Sequence, residues 1–274
     1  PNIAPEPSIM KALQDAIMVP ENYKYAINEL PEMKAAIHDW YKDRYHVELT
    51  NDEMICLQGS QEALSTLFLA MCDPGDIVLV PDPYYPIFSD GPKIAGAKVE
   101  YMPLLEEYNY IIQLDKIDEE IAKKAKMMIV SYPNNPTCAI APDSFYEELI
   151  AFAKKYDIVV LHDNAYSELV FDGKVGKSFL SFAGAKEVGI ELNSFSKTYG
   201  MAGARLGVCV GNKEVIECYN TLKSNMDYGI FLPVQYAGIE ALRHGGASIH
   251  STCQAYQDRR DALCEIFDSV GWHI

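Results

Sequence analysis

The chain has 274 residues, 49% of them hydrophobic, which is enough to bury the core of one large α/β domain. Its 39 acidic residues against 23 lysines and arginines give a formal net charge of −16. A field of that sign argues against binding to nucleic acid, although local donors can still hold a small anion.

Hydrophobic periodicity predicts helices that alternate with short apolar strands. Residues 7–45 are expected to be helical, with a break at Pro20–Tyr25. The further predicted elements, in chain order, are the helix Ser60–Met71, the strands Ile77–Val80 and Met127–Ser131, the helix Asp143–Tyr156, the strands Ile158–Leu161, Val188–Leu192 and Leu206–Val210, and the mostly helical residues 213–224 and 233–270. Buried strands separated by helices indicate an α/β fold with a mainly parallel central sheet and helices on both faces. In such a sheet, ligands bind at the carboxyl ends of the strands.

The chain contains seven cysteines, an odd number without a C-x-x-C pair. Several lie in apolar runs, so we interpret them as reduced, mostly buried thiols of a cytoplasmic protein. No metal-binding pattern is spelled out, and no apolar stretch approaches the length of a membrane span. The opening at Pro1, without an initiator methionine or a signal peptide, is expected for a chain that begins within a longer sequence.

Residues 194–207, with the sequence SFSKTYGMAGARLG, form the most informative segment. Lys197 comes just after a predicted apolar strand, where an ammonium group is costly to bury. The amine becomes useful there if it forms a Schiff base with an aldehyde cofactor. Ser194, Ser196 and Arg205 are then suited to hold a phosphate of that cofactor. The alternative is a Ser/Gly loop with a solvated lysine, which an isolated S-x-S-K would favour.

Two segments nearer the N-terminus are also candidates for ligand binding. Gly59, Ser60 and Gln61 open a predicted helix, and the free N–H groups at a helix amino terminus form an anion site. Taken alone, simple N-capping by Ser60 is the favoured interpretation. Tyr84 and Tyr85 stand between two prolines, and tyrosines held this stiffly suit stacking on a flat ring. A Pro-rich turn with two core tyrosines is the alternative.

Two polar segments follow predicted strands later in the chain. Asn135 precedes a proline, which biases it to an extended conformation, and its amide can donate a hydrogen bond to a phenolate oxygen. An Asx turn is the alternative for this residue. Asp163 supplies a carboxylate at the next strand end, with Tyr166 three residues on, unless Asp163 serves as a helix cap. We interpret His162 as a packing residue that can stiffen Asp163.

In this order and at these spacings, the segments resemble the class I and II aminotransferases of fold type I, which depend on pyridoxal 5′-phosphate (PLP). The resemblance covers roughly residues 7–274. The sequences of segments 82–86, 184–191 and 234–242 most resemble those of LL-diaminopimelate and alanine aminotransferase-like members. The resemblance implies a PLP-binding large domain of fold type I.

The resemblance also implies roles for the candidate residues. Lys197 would form the Schiff base with PLP and shuttle the proton, while Asp163 would pair with the protonated ring nitrogen. Asn135 and Tyr166 would bond the 3′ oxygen, and Tyr85 would stack on the ring. The phosphate would be bound by Gly59, Ser60, Gln61, Ser194, Ser196, Arg205 and, from the neighbouring subunit, Tyr25.

The chain departs from the family pattern at two places. Cys138 replaces the glycine of the family's N-P-T-G segment. The spacing after Tyr25 is one residue short, and Glu29 stands near the place of a glycine. With Tyr25 as the match, the resemblance implies a homodimer with shared active sites.

The resemblance divides the chain into three parts. Residues 1–44 are expected to form an N-terminal segment that belongs to the small domain and the dimer arm, 45–265 the large PLP-binding domain, and 266–274 the start of a C-terminal small domain. Family members run on for roughly a hundred residues more. That continuation carries the arginine that binds the substrate α-carboxylate, so we expect a truncated chain with an incomplete small domain.

The implied reaction is a ping-pong transfer of an amino group from an L-amino acid to a 2-oxo acid. A PLP-dependent carbon–sulfur β-lyase is the alternative, although such lyases tend to carry Glu-Ile-His where this chain has Asn164, Ala165 and Tyr166. A non-catalytic PLP-binding domain is a further alternative, but no basic DNA-binding module is visible. No G-x-G-x-x-G turn supports a dinucleotide-binding protein. The sequence leaves the amino donor open.

Overall fold

A seven-stranded sheet forms the middle layer of the fold in the computed structural model, which describes residues 3–272. The strands are β1 Met54–Leu57, β2 Ile77–Asp82, β3 Lys98–Pro103, β4 Ala125–Val130, β5 Val159–Asp163, β6 Gly189–Ser194 and β7 Gly207–Gly211. In space they follow the order β1-β7-β6-β5-β4-β2-β3. β7 runs antiparallel to both β1 and β6, whereas the other neighbouring pairs are parallel. The prediction of a mainly parallel sheet is therefore confirmed.

The helices are α1 Pro7–Ile17, α2 Pro31–Tyr45, α3 Ser60–Met71, α4 Ile87–Ile94, α5 Glu119–Ala122, α6 Asp143–Tyr156, α7 Ala185–Val188, α8 Phe195–Thr198, α9 Lys213–Met226, α10 Leu232–His244 and α11 Gly246–Ser269. The helices α3 and α6 have the predicted bounds. The break after α1 is longer than predicted, because a 3₁₀ turn over Pro20–Tyr23 is followed by non-helical chain until Pro31. Proline suits the first turn of α2, where its missing N–H would have no partner in the helix.

The elements that were not predicted from the sequence are β1, β3, α4 and the four-residue helices α5, α7 and α8. β1 is only four residues long. β3 lies at the edge of the sheet and exposes Lys98 and Tyr101, so it shows no continuous apolar run. α4 contains Gly91 and Pro92, which are the two weakest helix formers.

Alternate residues of the central strands point into two separate cores. In β4, Met128 and Val130 belong to the core on one face, and Met127 and Ile129 belong to the core on the other. Side chains of α2, α6 and α10 fill the first core, and those of α3, α4 and α9 fill the second. Helices therefore cover both faces as predicted. Full burial of a Met, Val or Ile side chain stabilises the folded state by about 1.5–3 kcal/mol relative to leaving it exposed.

The cysteines are less buried than their apolar surroundings in the sequence suggest. Cys138 and Cys218 are exposed, and Cys253 and Cys264 are half-buried. The expectation of mostly buried thiols is wrong, because these four lie on a loop or on partly solvated helix positions and not in the sheet. Within residues 3–272, no group of three or more His, Cys, Asp or Glu side chains could hold a metal ion.

The predicted division into residues 1–44, 45–265 and 266–274 stays a prediction. α2 lies across the first boundary, and its Met33 and Tyr41 are fully buried in the same core as the central strands. In the part of the chain that the structure describes, no helix is long and apolar enough to cross a membrane.

Candidate active site

A cavity of about 180 Å³ opens at the carboxyl edge of the sheet. Polar residues reach it from the ends of β5 and β6 and from the start of α3. The antiparallel direction of β7 brings its amino end to the same edge, which places Arg205 there. Ten of the predicted site residues line this cavity: Ser60, Gln61, Tyr85, Asn135, Asp163, Tyr166, Ser194, Ser196, Lys197 and Arg205.

One end of the cavity is formed by the amino terminus of α3. No side chain caps this helix, so the structure does not contain the N-cap that Ser60 alone would suggest. Gly59 has φ 73°, and a Cβ at this position would overlap the guanidinium of Arg205. Glycine therefore lets the helix start and Arg205 lie side by side. N–H groups of a first turn next to a guanidinium make a suitable place for a phosphate.

The Arg205 side chain is held by backbone carbonyls. Nη1 donates to the Ala202 carbonyl at 2.9 Å, and Nη2 donates to the Gln58 carbonyl at 3.4 Å. Within residues 3–272, no carboxylate forms an ion pair with Arg205 or with Lys197. Both cations are thus left for an anion or a carbonyl compound from outside the chain.

Lys197 lies on the short helix α8, directly after β6. The hydroxyl of Ser194 accepts a hydrogen bond from the Ser196 N–H at 3.2 Å and so caps α8. The Lys197 side chain is half-buried, and its Nζ lies 5.8 Å from the centroid of the Tyr166 ring. The amine therefore faces the cavity wall that Tyr166 forms.

Asp163, the last residue of β5, carries a buried carboxylate oxygen at the cavity. The Ala165 N–H donates to its carboxyl group, but Oδ1 is buried and has no hydrogen-bond partner among residues 3–272. Burial raises the pKa of Asp163 to about 6, although His162 and the Ala165 N–H act to lower it; the nearby charge of Glu191 adds to the rise. A buried carboxylate oxygen without a partner is costly, so the site favours a cationic donor opposite it.

Tyr166 and Asn135 lie together on one side of the cavity. Burial raises the pKa of the Tyr166 phenol, the charge of Asp163 adds to the rise, and the side-chain hydrogen bond with Asn135 opposes it. The loop is closed by the neighbour of Asn135 and not by an Asx turn of Asn135, since Oδ1 of Asn134 accepts from the N–H of Thr137 at 3.1 Å and from its hydroxyl at 2.8 Å. The amide of Asn135 is therefore free to face the cavity.

The loop that carries Asn135 tolerates the cysteine at the position of the family's glycine. Cys138 has φ 60°, in the left-handed region that glycine adopts readily. Its N–H donates to the Asn134 carbonyl at 2.9 Å, which closes the turn. The departure from the family pattern is thus accommodated by the backbone of Cys138 itself.

Of the two neighbouring tyrosines, Tyr85 is the one at the cavity. Its hydroxyl donates to Oε1 of Gln61 at 2.9 Å, and its ring meets Phe88 edge to face. Tyr84 points elsewhere and stacks on Tyr101, with 5.5 Å between the ring centroids. The choice of Tyr85 over Tyr84 agrees with this geometry.

Tyr25 does not reach the cavity of its own chain. Its side chain is 77% exposed, and its ring lies 5.0 Å from the ring of Tyr228. Its assignment to the phosphate of a neighbouring subunit stays a prediction. Three aliphatic residues of the cavity wall were not predicted, because such side chains carry no chemical signal in the sequence: Leu64, Ala165 and Ala202.

His162 is packed in the core and is also paired with a carboxylate. It is fully buried on the strand next to Glu191, and its Nδ1 lies 3.1 Å from Oε2 of that carboxylate. Glu191 also accepts hydrogen bonds from Tyr41 at 3.0 Å and from Ser178 at 3.0 Å. This network fixes the strand immediately before Asp163.

Comparisons with known proteins agree with the fold and the cavity. The family model "Aminotransferase class I and II" matches residues 2–274. The LL-diaminopimelate aminotransferase of Halothermothrix orenii is 46% identical, over 97% of this chain and 69% of that protein. That of Moorella thermoacetica is 45% identical, over 93% of this chain and 66% of that protein. The solved structure of substrate-bound BacF from Bacillus subtilis superposes with a TM-score of 0.97 at 37% identity, covering 100% of this chain and 70% of that one.

The mainly parallel sheet with a cavity at its carboxyl edge places the molecule among the fold type I enzymes that depend on PLP. The chain belongs to the class I and II aminotransferases. It spans about 70% of the length of the solved relative named above.

Proposed function

We propose that this chain transfers an amino group from an L-amino acid to a 2-oxo acid, with Lys197 as the catalytic amine. One observation carries the proposal: Lys197 and the unpartnered Oδ1 of Asp163 belong to the same cavity, next to the uncapped start of α3. Such a site offers an amine, a carboxylate and an anion-binding end to one ligand.

The residues present fit PLP. When bound, PLP supplies an aldehyde for covalent attachment and a pyridine ring that stabilises negative charge. Asp163 would accept from the protonated ring nitrogen, which satisfies its orphaned oxygen. Tyr166 and Asn135 would bind the 3′ oxygen, and Tyr85 would cover the ring. The phosphate would be bound by Gly59, Ser60, Gln61, Ser194, Ser196 and Arg205.

Lys197 would also move the proton. Its Nζ faces the cavity beside the Tyr166 ring, so the amine would be placed to take the proton from Cα of the amino donor. The half-buried position keeps the amine close to the substrate and limits contact with water.

We further propose that the active unit is a homodimer in which Tyr25 reaches the phosphate of the partner. Tyr25, Ile27 and Tyr228 are all more than half exposed, which is unusual for such large apolar side chains grouped together. We call residues 25–30 the arm. Its C-terminal end is fixed on its own chain, because the Leu30 N–H donates to Oε1 of Gln235 at 2.8 Å. An anchored arm with an exposed aromatic tip suits a second copy of the chain.

Replacing Tyr25 by phenylalanine is expected to weaken PLP binding about tenfold, because one hydrogen bond to a charged group is lost. The dissociation constant for PLP, measured by fluorescence titration of the apoprotein, checks this. Tyr23→Phe is the matched control, since Tyr23 is also exposed but packs its ring against Phe231. Equal PLP affinities of the two variants, or a monomer in sedimentation analysis, would contradict the shared site.

For the amino donor we propose LL-diaminopimelate. The support is that several relatives named LL-diaminopimelate aminotransferase are 40–46% identical to nearly the whole chain. We expect turnover with LL-diaminopimelate to exceed that with alanine or aspartate at least about tenfold, when 2-oxoglutarate or pyruvate is the acceptor. A preference for alanine would contradict this choice of donor. Release of pyruvate and ammonia from cystathionine would favour the lyase instead.

A further inference from the structure

Lys223, in the last turn of α9, is a buried lysine outside the cavity. Only 4% of the residue is exposed. Its Nζ lies 2.7 Å from Oε1 of Glu62 and 2.7 Å from Oδ2 of Asp227. Buried lysines are rare unless they are paired, and this one has two carboxylate partners.

The first partner connects Lys223 with the start of α3. Glu62 lies in the first turn of that helix, and its Oε2 accepts a hydrogen bond from the Gln58 N–H at 2.6 Å. One carboxylate thus joins the lysine to the backbone just before Gly59.

The second partner fixes the side chain of the same glutamine. Oδ2 of Asp227 accepts from Nε2 of Gln58 at 3.2 Å, and Oδ1 accepts from the Gly229 N–H at 2.8 Å. Gln58 in turn accepts from Arg205 through its carbonyl. We call Gly59, Ser60, Gln61 and Arg205 the anion cup, and Gln58 is the link between Lys223 and this cup.

We infer that Lys223 is a positioning residue for the anion cup. It holds two carboxylates, and these hold Gln58 at its N–H and at its side chain, while the Gln58 carbonyl holds Arg205. The cup is therefore arranged before any phosphate enters it. The inference rests on the proposed role of the cup in binding the cofactor phosphate.

The positive charge of Lys223 also matters electrostatically. Without it, Glu62 and Asp227 would be two uncompensated charges with side chains only 13% and 21% exposed. They would repel each other and would oppose an incoming anion. A neutral replacement is thus expected to weaken anion binding both through the geometry of Gln58 and through charge.

The test compares the wild-type apoprotein with Lys223→Met. We expect the dissociation constants for PLP and for inorganic phosphate to rise about tenfold, and the turnover at saturating PLP to change less than about twofold. Lys223→Arg, which keeps the charge, should recover part of the affinity. Titration followed by ³¹P NMR measures phosphate binding without any need for activity.

Lys186→Met is the matched control. It removes a more exposed lysine that lies 2.9 Å from both carboxylate oxygens of Glu53, in a lysine–carboxylate ion pair remote from the cup. We expect its phosphate and PLP affinities to equal those of the wild type. Lys223→Met affinities equal to those of this control would overturn the inference.

A second variant keeps the test valid if Lys223→Met does not fold. Adding Glu62→Gln to Lys223→Met removes one unpaired charge and keeps an oxygen acceptor for the Gln58 N–H. This double variant should fold and still bind phosphate more weakly than the wild type; wild-type affinity would overturn the inference. A wild-type protein that binds no PLP would instead refute the proposed function, so the two failures are distinguishable.

Discussion

Lys197→Ala should lose nearly all transamination, with turnover lowered about 10⁴-fold or more. The reason is that one amine serves both to attach the cofactor and to carry the proton, and no other lysine lines the cavity within the described residues. The rate of 2-oxo acid formation from the amino donor measures the effect. Intact mass after borohydride reduction gives a second readout, because the wild type should carry a fixed PLP adduct and the variant should not.

The matched control for this variant is Lys124→Ala, at an exposed lysine outside the cavity. It should keep both the turnover and the adduct. A Lys197→Ala protein that stays active without added amine would refute the assignment of Lys197. An adduct found on another lysine would place the catalytic amine elsewhere.

Asp163→Asn should lower turnover about 10²–10³-fold while the protein still binds PLP. An amide cannot stabilise a proton on the ring nitrogen, so the ring loses much of its capacity to stabilise negative charge. Asp157→Asn is the control. Asp157 is an exposed aspartate directly after α6 with a left-handed backbone conformation, which asparagine also adopts readily. Turnover of Asp163→Asn within a few-fold of this control would contradict the role.

The raised pKa of Asp163 predicts that the same substitution, which lowers turnover, increases the stability of the apoprotein at neutral pH. Because the folded pKa is raised to about 6 above the usual 3.8, this group stabilises the fold fully below pH 4. That contribution is lost as the pH rises through about 6. The apoprotein of Asp163→Asn should therefore lack this pH dependence and be the more stable protein at pH 7, by on the order of 2–3 kcal/mol. Urea unfolding of both apoproteins between pH 4 and 8 measures it, and parallel pH profiles would contradict the prediction.

PLP binding should counteract this effect in the wild type. A cationic ring nitrogen beside Asp163 favours the ionised carboxylate, so PLP affinity should fall as the pH drops below about 6, the pKa of the group in the apoprotein. In Asp163→Asn this fall should be smaller, since only the part that comes from protonation of the cofactor phosphate is left. Fluorescence titration of PLP at pH 5 and pH 7.5 compares the two.

Much of the fold could be predicted from local hydrophobic patterns in the sequence. The helices α3 and α6 have apolar positions at helical spacing and clear ends, so their bounds agree with the prediction. Central strands such as β4 contain a continuous apolar run, here Met127 to Val130, because both of their faces are covered. The strand β3 escaped prediction because an edge strand with one solvated face carries charged and polar residues.

The candidate residues of the site could be named from the sequence because strand ends in a mainly parallel sheet meet at one edge. Which residue of each segment faces the cavity could not be derived from the order of the strands. The use of Asn134 for the turn, which leaves Asn135 for the cavity, depends on the path of one loop. The link from Lys223 to Glu62 joins residues 161 positions apart, and no local pattern carries such information.

The sequence by itself determined that the chain forms buried strands between amphipathic helices and that an amine, a carboxylate and an anion-binding turn follow those elements. Hydrophobic periodicity and helix-terminus chemistry act over a few residues, so they are written locally. Only the tertiary structure decided that β7 runs antiparallel and so brings Arg205 to the cavity, and that Oδ1 of Asp163 is buried without a partner. Strand direction and desolvation depend on which distant segments pack together, because they are properties of the assembled core.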